Sequence, residues 1–186
     1  MVSLMSLWIP IFLSAVIVFV ASSIIHMVLS YHRNDVQTLP KEDEVLAALR
    51  PFNIPPGDYF VPHAGSMKAM KDPAFLDKMK AGPVVHMTIL PSGPPSIGSN
   101  LILWFIYSVL VSLFAAYVAG HALRRGATYL EVFRFAGCVA FIGYALALIQ
   151  NSIWYKRNWG TTLKYIFDGL VYGLLTAGTF GWLWPR

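Results

Sequence analysis

Apolar side chains run almost unbroken through four stretches, 4–29, 101–123, 129–149 and 165–184, and charge, proline and glycine return between them. Each stretch is about 20 residues or longer, enough at ~1.5 Å rise per residue to cross a ~30 Å hydrocarbon layer. The polar faces that a soluble helix shows every 3.6 residues are missing. The pattern predicts an α-helical integral membrane protein, with four transmembrane helices and a small α/β extramembrane insertion between the first and second. The expected limits are 4–30 for the first helix and 31–98 for the insertion. The other three helices are expected at about 101–123, 129–150 and 165–184, within 99–186.

Two stretches carry ladders of small residues at every fourth position. Ser108, Ser112, Ala116 and Gly120 form one, and Gly169, Gly173, Ala177 and Gly181 the other. In lipid, such ladders let helix backbones approach closely, so that dispersion contacts and interhelical hydrogen bonds replace hydrophobic burial. A further small seam, Ala136, Ala140, Gly143 and Ala147, runs along the third stretch. Small faces are plentiful enough to predict contacts beyond one bundle, either with further copies of the chain or with other membrane subunits.

The insertion reads as helix, strand, helix, strand. Over 40–50 a proline leads, Glu42, Asp43 and Glu44 fill the first turn, and Val45, Leu46 and Leu49 make an apolar stripe. Pro55, Pro56 and Gly57 predict a turn before a strand at Tyr59, Phe60 and Val61. Asp72 and Pro73 open a second helix that stops at Gly82 and Pro83, and 84–90 has strand composition.

Charge changes the picture little. The chain is 12% charged with a formal net charge of +5, against about 25% charged for soluble domains. Within 32–100 the basic residues Arg33, Lys41, Arg50, Lys68, Lys71, Lys78 and Lys80 balance Asp35, Glu42, Asp43, Glu44, Asp58, Asp72 and Asp77. The excess lies beside the hydrophobic stretches, at Arg124, Arg125, Lys156, Arg157, Lys164 and Arg186. That is a topology and headgroup pattern, so the lipid bilayer is the expected partner and nucleic acid is not. Counting Lys and Arg near the spans favours both termini outside and the insertion in the cytoplasm. Size and composition suggest a bacterial inner membrane. The first stretch lacks the basic start and short apolar core of a signal peptide and reads as an uncleaved anchor.

Candidate chemistry is sparse. Cys138 is the single cysteine, which excludes an internal disulfide and a thiolate zinc cluster. Nucleotide-binding, zinc-protease and serine-hydrolase motifs are missing. No enzyme activity and no cofactor are expected. His26 shares a helical face with Ser22 and Ser30 in the first stretch. With Asp168, Gln150 and Asn151 it could line a polar intramembrane site suited to a hydrated ion, a proton relay or a headgroup. The blander expectation pairs Asp168 with Lys164 one turn away and leaves Gln150 and Asn151 capping a helix. His121 should lie at the opposite membrane face from His26, which rules out an intrachain bis-histidine haem. Glu131 and Arg134 are spaced for an interfacial ion pair. His63, Met67 and Met70 are weak candidates for a soft metal such as Cu(I).

The function expected from these features is non-catalytic: a structural or accessory membrane subunit acting by helix packing. One alternative is a small transporter or ion-handling protein using His26 and Asp168. The other is a metal-binding protein using the Met/His insertion.

Overall fold

The structure, a computed structural model, describes residues 1–94 and 96–186. It forms two compact units, one from Met1–Val36 with Ser96–Arg186 and the other from Gln37–Pro95.

The first unit is helical. A 3-10 turn (Leu4–Leu7) leads into α1 (Trp8–Ser23), which relaxes into a π-helical turn over Ile24–Val28 before Leu29 becomes extended. The expected face of Ser22, His26 and Ser30 is therefore not one helical face, because Ser30 starts a separate 3-10 turn (Ser30–His32). Helix α4 (Ile97–Ala122) is continuous. Helix α5 (Tyr129–Tyr144) stops at Ala145, and the chain resumes through a 3-10 turn (Leu146–Leu148) into the short α6 (Ile149–Trp154). Helix α7 (Trp159–Trp182) starts six residues earlier than its apolar run, because Asn158 caps it by accepting hydrogen bonds from Gly160 N and Thr161 N.

Three segments, Leu4–Val28, Ile97–Ala122 and Tyr129–Trp154, are long and apolar enough to cross a membrane. Four were expected. Helix α7 has the length, at 24 residues, but its inward face is polar: Thr161, Thr162, Asp168, Thr176 and Thr179 are all buried. Its outward face is apolar, with Leu163, Phe167, Leu170 and Leu174 exposed.

The small residues show why these helices pack. Down α7, a Cβ added at Gly169 would lie 2.7 Å from Ala145 Cβ, one at Gly173 would lie 3.2 Å from Phe141 N, and Gly137 of α5 faces Ala177 in the same way at 2.9 Å. As the α7 positions step forward by four, their α5 partners step back by four: the two helices are antiparallel and meet backbone to backbone. Gly181 completes the ladder against the Tyr129 ring. On α4, the buried positions Ser108, Val111, Ser112, Ala115, Ala116, Ala119 and Gly120 form a single face. Ser14 of α1 donates to Ser112 there at 2.9 Å, and Gly120 stands where a Cβ would meet Val2 O at 2.7 Å. The α5 seam divides: Gly143 lies against Val111 of α4, while Ala136 joins the cluster of Val2, Leu7, Ile11 and Ala115. Both ladders are thus engaged within the chain.

Backbone hydrogen bonds Val2 N to Gly120 O (2.7 Å) and Gly126 N to Pro185 O (3.0 Å) hold both ends of the unit beside the α4–α5 connection. Helix α7 therefore runs the full length of the bundle. At this end Thr128 and Glu131 form a capping box, so Glu131 is taken up by the helix start instead of an ion pair with Arg134.

The second unit holds α2 (Glu42–Leu49), β1 (Gly57–Val61), α3 (Pro73–Ala81) and β2 (Val85–Ile89). The strands are antiparallel, with Tyr59 opposite Met87, and Thr88 Oγ1 donates to Asp58 across the pair at 2.6 Å. Asp72 caps α3 by accepting from Ala74 N.

Gly173→Leu is expected to destabilise the bundle by about 1–3 kcal/mol, the usual cost of overpacking a close contact. Gly98→Leu, with nothing within 4 Å of the added Cβ, should cost none of that. Unfolding of both variants in mixed detergent micelles, followed by helical circular dichroism, checks this.

Candidate functional site

The break in α5 and the π turn after α1 lie on one cavity. Ser23, His26 and Met27 approach it from the first segment, and Gly143, Tyr144, Ala147 and Leu148 from the break. Helix α4 contributes Asn100, Trp104 and Tyr107, and α7 contributes Tyr165, Asp168 and Tyr172. The volume is about 590 Å³. Aromatic rings pave its inner end, where Trp104, Tyr144 and Tyr172 pack mutually with centroids 5.5 to 6.1 Å apart. Their polar atoms are placed: Trp104 Nε1 donates to Ser22 at 2.8 Å, and Tyr107 OH to Gly143 O at 2.6 Å. The latter covers a carbonyl at the end of α5, where helical bonding lapses.

At the other end stands a cluster of charged and imidazole groups. Because the chain turns at Leu29, His32 folds back beside His26, and the two rings stack at 4.3 Å with 28° between their planes. His32 Nδ1 lies 2.6 Å from Asp35 Oδ2, and His32 Nε2 lies 2.8 Å from Asp168 Oδ2. Lys164 Nζ donates to Asp35 Oδ1 at 2.7 Å and to Tyr31 O at 3.0 Å. Tyr172 OH lies 3.4 Å from His26 Nε2. Burial opposes the charge on Asp35, but hydrogen bonds from Lys164 and His32 outweigh it and hold this carboxyl below the usual carboxylate range.

The Nδ1–Asp35 contact is a hydrogen bond. The Nε2–Asp168 contact has ion-pair length, but both atoms are buried and make no well-aligned hydrogen bond among the described residues. The side chains themselves are 9% and 3% exposed. One nitrogen and one oxygen therefore converge in a buried place. The donor atoms of His26, His32 and Asp168 all lie within 4.8 Å of one another, the one such group of three or more His, Cys, Asp or Glu among the described residues.

The structure thus brings together two of the four residues expected to form a polar site, His26 and Asp168. It leaves out the others. Gln150 is exposed and Asn151 half-buried on α6, and neither lines the cavity. The expected pairing of Asp168 with Lys164 is replaced by a crossed arrangement, Asp168 with His32 and Lys164 with Asp35. His121 sits near Met1 and Thr128 at the far end of the bundle. In the second unit His63, Met67 and Met70 are exposed. The residues missed are His32 and Asp35. Their i,i+3 spacing beside a membrane boundary was visible, but it is the extended Leu29 that returns them to the bundle.

Comparison with protein-family models, with curated proteins and with solved structures finds no match. The three long apolar segments support a membrane protein in general.

Replacing Lys164 by Met should leave Asp35 facing His32 without its cation. The expected loss is about 2 kcal/mol, below the 3–5 kcal/mol of a fully buried pair because Lys164 is partly exposed. Adding Asp35→Asn should recover part of it. A double-mutant cycle by detergent unfolding measures the coupling.

Proposed function

We infer that this chain is a four-span membrane protein that handles a small cation, a proton or a metal ion, at the His26–His32–Asp168 cluster. The observation that carries this reading is the buried imidazole–carboxylate group at the mouth of an aromatic cavity, flanked by two interrupted helices. Ionisable side chains at membrane depth are costly and belong to ion or proton pathways by default. Interrupted helices around a polar site near the membrane are the arrangement small transporters use. Assembly with other subunits through the small-residue ladders is the weaker reading, since those residues have partners in their own chain.

The fourth span is α7. Its polar residues face the other helices and its outward Leu and Phe side chains suit lipid, which is how a central span can be less apolar than its neighbours. Four spans put the C-terminus on the same side as the α4–α5 connection. Cysteines introduced at Arg124 and Arg186 in a Cys138→Ser background are expected to react with an impermeant maleimide from one side of the membrane. A cysteine at Lys156 should react from the other. Labelling of Arg186→Cys together with Lys156→Cys would leave three spans. The same labelling reads the orientation, expected to be termini outside and insertion in the cytoplasm.

Transport itself is tested in proteoliposomes with an internal pH dye and a metal-responsive dye. The wild-type chain is expected to pass protons or divalent cations, and Asp168→Asn and His32→Gln to reduce the flux at least tenfold. Flux that survives both changes would end the ion-handling reading.

A further inference from the structure

We propose that His26, His32 and Asp168 bind a divalent first-row transition-metal ion, with Asp35 and Lys164 as its outer shell. The proposal rests on the cation-handling reading above and narrows its class of ion.

Asp35 Oδ2, 2.6 Å from His32 Nδ1, can only accept, so the ring proton sits on Nδ1. Nε2 then faces Asp168 Oδ2 at 2.8 Å. A ring nitrogen and a carboxylate oxygen this close call for a positive centre, a proton or a metal ion. Both atoms are buried and make no well-aligned hydrogen bond among the described residues, which favours the metal ion. With bonds of about 2.0–2.1 Å, tetrahedral ligand atoms stand about 3.3–3.4 Å apart, so the pair found here at 2.8 Å has to open by about 0.5 Å. The third donor, from His26, lies within 4.8 Å of both. It needs to move by at most about 1.5 Å to complete a tetrahedral edge. His26 is carried by the π turn, a backbone form frequent at functional sites.

The outer shell fits the same purpose. A metal-bound imidazole usually gives its other N–H to a carboxylate, which fixes the ring and raises its basicity. Asp35 does this for His32, and Lys164 holds Asp35 in turn. Two imidazoles and one carboxylate select against Mg(II) and Ca(II), which want oxygen ligands, and suit Zn(II), Fe(II), Co(II) or Ni(II). Three protein ligands leave a coordination position for water or an occupant, and His26 and Asp168 both line the cavity. The insertion supplies no such group of three His, Cys, Asp or Glu among the described residues.

The test uses the full-length protein in mild detergent, stripped with chelator and titrated with Zn(II) alone by calorimetry, with Co(II) absorption as a second probe. One Zn(II) per chain is expected. His32→Gln and Asp168→Asn should abolish binding. Asp35→Asn should weaken it about 10–100-fold, the usual effect of losing an outer-shell partner. His26→Ala changes an exposed side chain, so it keeps the fold if the buried variants do not, and it should weaken binding at least tenfold. Less than one Zn(II) per folded chain, which leaves an ordinary imidazolium–aspartate pair, overturns the proposal. So does affinity unchanged in His26→Ala, or binding that is lost in His63→Ala and not in His26→Ala. Zinc bound without ion flux would keep this site and remove the transport reading. Proton flux through metal-free protein that binds no zinc would do the reverse.

Discussion

Everything at the site end of this bundle depends on how closely α7 lies against α5. In lipid there is no gain from merging two greasy surfaces, because the tails are as apolar as leucine. What remains is contact, and contact is greatest where side chains are smallest. Gly169, Gly173 and Ala177 bring α7 onto the α5 backbone along about two turns. The closest point, Gly169 against Ala145, is also where α5 gives up its helix. Asp168 is the next residue, and the same approach that seats Gly169 leaves its carboxylate almost without solvent.

A carboxylate in such a place has to be answered by opposite charge or by hydrogen bonds. The chain answers it from a distance in sequence, by folding the segment after Leu29 back against α7. His32 bridges Asp35 and Asp168, and Lys164 neutralises the outer of the two acids while its stem reaches outward. Arg157 lies over the Tyr165 ring at 4.7 Å and adds another cation at this edge of the bundle. The opposite end is held by different means: caps, tryptophan and backbone hydrogen bonds, with Trp184 Nε1 donating to Arg124 O.

Much of this architecture was legible in the residues. Length and apolarity marked the helices, and the four-residue spacing of glycine and alanine marked the faces that touch. Asp72 announced the start of α3 by capping chemistry alone. Other features were hidden for identifiable reasons. Ala145 carries no breaker signal of its own, and Gly143 two residues before it reads in the sequence as part of a small packing seam, so the end of α5 was not marked. Helix α7 extends beyond its apolar run because Asn158 caps it, and a polar first turn looks like loop to any hydropathy measure. His26 and Asp168 stood out as ionisable groups in apolar runs. His32 and Asp35 did not, because they follow the run, and periodicity cannot carry a residue back across a kink. Spacing alone pairs Asp168 with Lys164 on an isolated helix, but partners from another segment outcompete a neighbour one turn away.

Two of the four rods around the cavity are jointed, and two are not. Where α1 slips into a wider turn and α5 gives way to a tighter one, the spine forgoes regular internal bonding and with it some stiffness. Helix α7 stays whole and acts as the mast to which the jointed pair is stepped. Any swelling of the chamber to admit an occupant would be taken up by these two articulations, leaving the far end of the rigging undisturbed.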